Sequence, residues 1–282
     1  MRRPRFKGLV ARLGTAAVLI PLLILMLWWG PLAPVFVLFV GMLALIAMTE
    51  FYDLARTKGY TVERAGGMGV GIGVLALAAL GDYGLPVLAL TIGALALTAL
   101  HLLREHHDFP GLMASVFGVF YVAWLAAHLV LLHGIPVYGP GLATFVLSVV
   151  IAADSGAYFA GKYLGRRPLA PVVSPGKTWE GAIGGVAGGI VIALAMYGLH
   201  LVLPQLAFPP WPAWQYVLAA AVLVVVSIFG DLFESMIKRD AGVKDAGTLF
   251  PGHGGVLDRC DGMLFAAPTL YYGLALLDSA NS

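Results

Sequence analysis

The sequence predicts an all-α fold, a polytopic integral membrane helical bundle of about nine transmembrane helices with a cytoplasmic N-terminus. Two observations support this prediction. The chain of 282 residues is 60% hydrophobic and 11% charged, with a mean hydropathy of +0.89, and short polar segments separate its apolar runs. Its basic residues also fall on one side of those runs. We expect one membrane-embedded domain over residues 1–282, because no long linker or repeat interrupts the pattern.

The apolar runs define the predicted spans in chain order. Most approach the roughly 20 residues that a helix needs to cross a bilayer. The first follows a basic N-terminus and is interpreted as a retained signal anchor, because the next span begins almost at once. The spans cover residues 12–29, 32–49, 66–81, 84–102, 111–132, 141–161, 180–202, 214–233 and 262–278.

All 17 lysines and arginines lie in alternate loops between these spans. The intervening loops, near residues 30–31, 81–84, 133–141 and 200–213, contain neither residue. By the positive-inside rule the basic side is cytoplasmic, so the N-terminus is inside and the C-terminus outside. We therefore predict a multi-pass protein of the cell (inner) membrane whose functional site faces the cytoplasm.

The remaining global features mainly exclude classes of function. The net charge is only +2, and no basic stripe is interleaved with aromatic residues, so we expect no nucleic-acid partner. A single cysteine excludes an intrachain disulfide and a cysteine-based zinc cluster. The histidines near residues 101–107 are interpreted as part of a solvated loop rather than a metal site.

Residues 235–262 are dense in charge for this chain, with four of the 17 basic and four of the 15 acidic residues. One interpretation is a solvated loop that only anchors the flanking helices. The other is a site for a polyanionic substrate, because lysine and arginine bind phosphate oxygens. Asp258 and Asp261 share a helical face and suit Mg²⁺. The other candidates are Lys238, Arg239, Lys244 and Arg259 for phosphates, and Gly254 and Gly255 beside His253 for close backbone approach to a ligand.

A second polar group lies in the sixth span and the loop after it. A charged Asp154 within a membrane span would be unfavourable in lipid, so its presence indicates a functional role. The alternative is a structural role, in which its carboxylate only hydrogen-bonds to a neighbouring helix. Ser174 followed by Pro175 predicts a helix that begins beside Lys177. The positive end of this helix would then be available to a phosphate. A P-loop is excluded because Pro171 stands where the first glycine is required.

The eighth span ends in a polar stripe. Its members follow the i, i+3, i+4, i+7 spacing of one helical face, so they should point into the bundle or a wet cleft. The glycines of residues 181–189 have the small-residue spacing of closely packed helices. Glu50 and Asp53 are expected at the membrane interface. The stripe comprises Asp231, Glu234, Ser235 and Lys238.

The order of these residues resembles the signature of the phosphatidate cytidylyltransferases, the CDP-diacylglycerol synthases. That pattern runs Ser-x-apolar-Lys-Arg, Lys-Asp, then Pro-x-His-Gly-Gly-apolar-x-Asp-Arg-apolar-Asp. Cys260 replaces a residue that is usually aliphatic, aromatic or Thr, and a buried thiol behaves as a small hydrophobe. The positions that match are Ser235, Lys238, Arg239, Lys244, Asp245, Gly247, Pro251, His253, Gly254, Gly255, Asp258, Arg259 and Asp261.

The resemblance extends upstream of this segment. Residues 154–158 match an Asp-Ser/Thr-x-Ala-Tyr stretch, and residues 174–181 match Ser-Pro-x-Lys-Thr-x-Glu-Gly. Residues 230–235 also match, and so does the short stretch 50–54, so the resemblance makes Glu50 and Asp53 candidates for supporting the site from behind its ligands. The resemblance is close over about residues 150–265, which we interpret as the catalytic part.

The resemblance implies an enzyme that condenses CTP with phosphatidic acid, giving CDP-diacylglycerol and pyrophosphate for phospholipid synthesis. We assign Asp231, Asp258, Asp261 and Glu234 to Mg²⁺ from their ligand type; a second metal ion, a monovalent cation and a homodimer stay open. Replacing Asp258 by Asn at the cytoplasmic edge should leave stability nearly unchanged. The catalytic group is Asp231, Asp258, Asp261, Lys238 and Arg239, and the substrate-binding group is Lys177, Lys244, His253, Gly254, Gly255, Arg259, Asp154 and Ser235.

Three other classes of membrane protein fit the sequence less well. A secondary transporter would also carry Asp154 within a span and glycine-broken helices, but it would not need phosphate-binding groups confined to one side. A CDP-alcohol phosphotransferase requires Asp-Gly-x-x-Ala-Arg, whereas Asp261-Gly262 is followed by Met-Leu-Phe-Ala. An intramembrane protease is disfavoured because no His-Glu-x-x-His motif is present.

Overall fold

A computed structural model describes residues 21–106, 108–247 and 254–281, and the side chains up to residue 276. These residues are almost entirely helical, which confirms the all-α prediction. His253, the beginning of the first predicted span and the basic residues at the N-terminus lie outside the described residues.

Nine helices follow one another along the described chain. Each overlaps one predicted span, and α5 includes a π-helical segment, Val119–Trp124. The helices are α1 (residues 21–28), α2 (Ala33–Thr57), α3 (Arg64–Ala78), α4 (Gly84–Leu102), α5 (Phe109–His133), α6 (Gly139–Leu164), α7 (Trp179–Val202), α8 (Ala213–Asp240) and α9 (Leu257–Asn281).

Six of the helical segments among the described residues are long and apolar enough to cross a membrane. They are Gly30–Thr57, which includes α2, and the helices α4 to α8. α3 is also apolar but has only 15 residues. The chain is thus a multi-pass membrane protein, while the count of nine spans stays a prediction.

A small antiparallel hairpin connects α6 to α7. Its strands are β1 (Pro168–Ala170) and β2 (Ser174–Thr178), with Ser174 opposite Ala170. The predicted helix start at Ser174 is therefore wrong, because this serine pairs within the hairpin. Instead, Thr178 caps α7, and its Oγ1 accepts a hydrogen bond from the Gly181 N–H at 3.1 Å. The helix still begins beside Lys177.

The loops that carry the basic residues meet at one end of the bundle. Lys58, after α2, forms an ion pair of 3.2 Å with Asp240 at the end of α8. The guanidinium of Arg239 donates to the Val173 carbonyl in the hairpin at 3.4 Å. Segments far apart in sequence thus form a common polar surface, which we call the basic end.

The loops without lysine or arginine meet at the opposite end. The Trp28 indole donates to Thr144 Oγ1 at 3.0 Å and packs against Phe208, with ring centroids 5.3 Å apart. His133, at the end of α5, hydrogen-bonds to the Leu27 carbonyl at 3.0 Å. The structure therefore separates the two sets of loops as the sequence predicted, whereas the assignment of one end to the cytoplasm stays a prediction.

A buried polar network joins α3, α4 and α5 at the basic end. His101 is buried, with its Nδ1 3.1 Å from Glu63 Oε1. Arg104 also pairs with Glu63, and the Asp108 carboxylate caps α5 by accepting the Gly111 N–H at 2.6 Å. The solvated-loop interpretation is therefore wrong for His101, which has a structural role.

Helices α6 and α7 pack with their backbones in close contact. A Cβ at Gly156 or Gly188 would collide with backbone carbonyls of the facing helix, those of Gly184 and Ala152 respectively. This confirms the predicted packing role of the glycine run. Small residues bring α6 and α7 close together beside the polar residues of α8.

Labelling of single cysteines tests the orientation of the two ends. On a Cys260→Ala background, cysteines at Val137 (69% exposed) and at the exposed Gln205 should react with an impermeant maleimide on intact cells. Cysteines at Lys58 and Arg166, on the basic end, should react only after permeabilisation. Reaction of the Arg166 position on intact cells would reverse the predicted orientation.

Candidate active site

A cavity of about 360 Å³ opens where α6, α7, α8, the hairpin and the start of α9 meet. Its volume lies within the usual range of small-molecule sites, about 300–1,000 Å³. Its inner wall is apolar and includes Ala153, Val224 and Gly185. Its polar wall consists of Asp154, Lys177, Asp231, Lys238, Asp258, Arg259 and Asp261.

The polar stripe of α8 faces the interior of the bundle, as its spacing predicted. Glu234, Ser235 and Lys238 are buried, and Asp231 is half-buried. Ser235 Oγ lies 3.5 Å from Asp231 Oδ1. α8 therefore supplies two carboxylates and one ammonium group to the same region.

Asp231, Glu234 and Asp261 form a compact acidic group, which we call the acidic trio. Each offers one carboxylate oxygen, and the three oxygens lie within 4.8 Å of one another. Glu234 is completely buried, at 0% exposure. Carboxylates this close repel one another unless a cation compensates, and hard oxygen ligands suit divalent cations such as Mg²⁺. The acidic trio thus fits a metal ion.

Two lysines pair with Asp231 and Glu234 of the acidic trio, and one of them also pairs with Asp258. Lys177 Nζ lies 2.5 Å from Asp231 Oδ2. Lys238 Nζ contacts both Glu234 and Asp258, the latter at 2.6 Å. Ammonium groups therefore pair with the carboxylates that a metal ion would bind, and the same ammonium groups could turn to the oxygens of a phosphate.

Asp258 is bonded through both of its carboxylate oxygens. Oδ1 pairs with Lys238, and Oδ2 accepts the N–H groups of Gly255 at 2.7 Å and Ala246 at 2.9 Å. Burial alone would raise the pKa of Asp258, but the Lys238 ion pair and these N–H donors hold it below its usual value. Asp258 lies outside the acidic trio, so its predicted metal role stays a prediction.

The premise that Asp258 is an exposed carboxylate at the edge of the protein is wrong, so we now expect Asn at position 258 to lower stability. The Asp258 side chain is only 10% exposed, and it orders the chain on both sides of residues 248–253. The solvated-loop interpretation of this segment is likewise wrong for Asp258 and Lys238, whose side chains are each only 10% exposed.

Gly254 and Gly255 allow close approach, although the groups that approach them belong to the protein. Gly254 has a φ of +81°, and a Cβ there would meet the Asp258 carboxylate. At Gly255 a Cβ would collide with the carboxylate of Glu50. Both glycines therefore let the chain fold tightly over two carboxylates.

Glu50 supports the start of α9. It is only 7% exposed, which contradicts the expected interfacial position and leaves the supporting role that the resemblance implies. Its Oε1 accepts the Val256 N–H at 3.0 Å, and its Oε2 accepts the Leu257 N–H at 2.8 Å. Val256 has no side-chain acceptor, so Glu50 caps α9 from α2 and stabilises its positive end. The signals in the sequence are a carboxylate directly after an apolar span and the match of stretch 50–54 to the family pattern.

Comparison with known proteins places this site in a family. Residues 10–277 match the profile of the Cytidylyltransferase family. The chain belongs to this family. A phosphatidate cytidylyltransferase of Brucella suis biovar 1 (strain 1330) is 38% identical over 271 residues, covering 94% of this chain and 92% of that protein. One from Synechocystis sp. (strain ATCC 27184 / PCC 6803 / Kazusa) is 32% identical, covering 93% of each chain.

A third relative, the phosphatidate cytidylyltransferase of Bacillus subtilis (strain 168), is 38% identical over 192 residues. The match covers 67% of this chain and 68% of that protein. These relatives and the family match confirm the resemblance on which the sequence analysis relied.

Not every predicted site residue of this cytidylyltransferase lines the cavity. Arg239 is exposed, and its guanidinium donates to the carbonyls of Val173 and Val243. Lys244 is exposed and also lies outside the cavity lining. By contrast, Arg259 and Asp154 line the cavity with Lys177. The roles of Arg239 and Lys244 therefore stay predictions.

Replacing Glu50 by Gln should destabilise the protein. The change removes the charge that accepts two buried N–H groups, and we expect a loss of about 1–3 kcal/mol in the free energy of unfolding. Asp53→Asn is the control, because Asp53 lies one turn later and forms an exposed pair with Arg64 at 2.9 Å, a type worth about 0–1 kcal/mol. Thermal unfolding in detergent measures both; equal stability of the two variants would contradict the capping role.

Proposed function

We propose that the protein transfers a cytidylyl group from CTP to phosphatidic acid, forming CDP-diacylglycerol and pyrophosphate. One observation carries this proposal: Asp231 and Asp261 of the acidic trio line one cavity at the basic end together with the cations Lys177, Lys238 and Arg259. Such a site suits two phosphate-bearing substrates, one of which is a lipid. The relatives named phosphatidate cytidylyltransferase support the choice of these substrates.

The reaction needs little help from a general base. A phosphate monoester is already anionic near neutral pH, so a phosphate oxygen of the lipid can form the new bond to the α-phosphorus of CTP. The bond from the α-phosphorus to the bridging oxygen breaks, and pyrophosphate leaves with its electron pair. The main barrier is mutual repulsion of the two anions, which positive groups in the site reduce.

Cationic side chains would contact both substrates. Lys177 lies at the start of α7 and pairs with Asp231, so it can exchange that carboxylate for a phosphate. Lys238 and Arg259 line the same cavity, and arginine offers phosphate a bidentate fork. We assign Asp154, Ser235 and the glycines 254 and 255 to the shape of the substrate site.

The acidic trio would hold Mg²⁺, with Asp258 beside it across the Lys238 ammonium. When bound, the ion would supply charge neutralisation for the triphosphate and for the departing pyrophosphate. The chain's own part is to fix three oxygens from two neighbouring helices. Whether a second cation takes part, and whether the protein forms a homodimer, stays open.

The cavity lies at the basic end, so the positive-inside rule places it at the cytoplasmic face of the cell (inner) membrane. This position suits a water-soluble nucleotide made inside the cell and a lipid that stays in the bilayer. A cavity at this face supports the proposed pair of substrates, because CTP can enter it from the aqueous side and phosphatidic acid from the bilayer.

An assay of purified protein in detergent tests the proposal. With phosphatidic acid, Mg²⁺ and each of the four NTPs in turn, CDP-lipid and pyrophosphate should form with CTP. A CDP-alcohol phosphotransferase would instead release CMP when given CDP-lipid and an alcohol. Absence of nucleotidyl transfer with every nucleotide would overturn the proposal.

Asp261→Asn should lower kcat by roughly three orders of magnitude. The change removes one charge of the acidic trio, and we expect it to cost about 4 kcal/mol of transition-state stabilisation. At about 1.4 kcal/mol per tenfold change in rate, this loss corresponds to about three orders of magnitude. The measurement is steady-state kinetics across a Mg²⁺ titration. Asp240→Asn is the control, because Asp240 is exposed at the end of α8 and pairs only with Lys58 among the described residues. A near-normal kcat for Asp261→Asn at ordinary Mg²⁺ would remove Asp261 from the metal site.

A further inference from the structure

The π-helical segment of α5 places a tyrosine hydroxyl in the interior of the bundle. Tyr121 is 1% exposed, and its Oη has no hydrogen-bond partner among the described residues. A hydroxyl buried in this way costs free energy, so an unpartnered one requires an explanation. π-helical turns are often found at functional sites.

Aromatic rings surround the ring of Tyr121. Phe117 stacks on it at 5.7 Å and 11°, Phe233 of α8 meets it edge-on at 5.2 Å, and Phe265 of α9 lies at 6.3 Å. Phe233 directly precedes Glu234, and Phe265 lies one turn after Asp261. The tyrosine is therefore fixed between the two helices that supply the acidic trio.

The carboxylates of the acidic trio lie on the two helices whose phenylalanines enclose the Tyr121 ring, so the hydroxyl and the trio share one region of the bundle. The carboxylate oxygens of Glu234 are also buried, and among the described residues their partner is Lys238. A buried donor without an acceptor thus lies in the same region as the buried carboxylate of Glu234.

We propose that Tyr121 is a positioning residue of the metal site, whose hydroxyl donates a hydrogen bond to a carboxylate of the acidic trio and so orients it for a divalent cation. The proposal rests on the metal site assigned under the proposed function. A neutral donor lowers the repulsion among the three carboxylates without adding positive charge. Unlike Lys177 or Lys238, it therefore does not compete with a cation for them.

Such a donor behaves like the outer groups that orient the ligands of other metal sites. Loss of one of those groups commonly weakens metal binding about 10–100-fold. The ring of Tyr121 packs against aromatic neighbours, as a phenylalanine ring would. The proposed role in metal binding therefore belongs to the hydroxyl alone. Tyr121→Phe keeps the ring and removes that hydroxyl.

The experiment measures Mn²⁺ binding to purified protein by electron paramagnetic resonance, without CTP or lipid. Tyr121→Phe should weaken Mn²⁺ binding about 10–100-fold, while the thermal stability of the metal-free protein changes little, because Phe keeps the aromatic packing of the ring. Tyr216→Phe is the matched control: Tyr216 is 0% exposed, but its hydroxyl donates to the Pro209 carbonyl at 2.8 Å. That variant should lose stability and keep its Mn²⁺ affinity.

Unchanged Mn²⁺ affinity in Tyr121→Phe would overturn the inference, as would wild-type protein that binds no Mn²⁺. A loss of stability equal to that of Tyr216→Phe, with normal Mn²⁺ affinity, would assign Tyr121 a purely structural role. The proposed function fails separately: wild-type protein that binds Mn²⁺ but forms no CDP-lipid would refute the reaction and leave the role of Tyr121 intact.

Discussion

The Lys238 ammonium contacts two carboxylates, Glu234 on its own helix and Asp258 on the next one. All three groups are largely removed from water, and an unpaired charge there would cost several kcal/mol. α8 and α9 must therefore stay in register for the charges to remain paired. The same carboxylate also accepts the N–H groups of Ala246 and Gly255, so it fixes one residue after α8 and one before α9. The geometry of the acidic trio depends on this pairing.

Glu50 extends this dependence to the N-terminal half of the chain. It accepts hydrogen bonds from the first N–H groups of α9, across 206 and 207 positions of sequence. The helix that carries Asp261 is therefore capped by α2, and Gly255 permits that contact because a side chain there would displace Glu50. The early helices thus position the site, although the described part of α2 adds no residue to the cavity lining.

The sequence analysis succeeded where the physical signal was local. The spacing of Asp231, Glu234 and Lys238 predicted one helical face, and the structure turns that face inward. The predicted helix start at Ser174 was wrong, because Ser174 pairs with Ala170 in the hairpin instead of capping a helix. The interpretation of His101 was also wrong, because the polarity of a segment does not reveal that Glu63 and Arg104 enclose its histidine.

The sequence by itself determined the helical membrane architecture, the separation of the loops into two ends and the residues available for chemistry. Each follows from composition and short-range periodicity, which act along a few turns of chain. Only the tertiary structure decided which groups meet. It placed Glu234 rather than Asp258 with Asp231 and Asp261, and it buried the hydroxyl of Tyr121 beside them. The reason is physical: pairing of buried charges and donors depends on how helices distant in sequence pack, and no single segment contains that information.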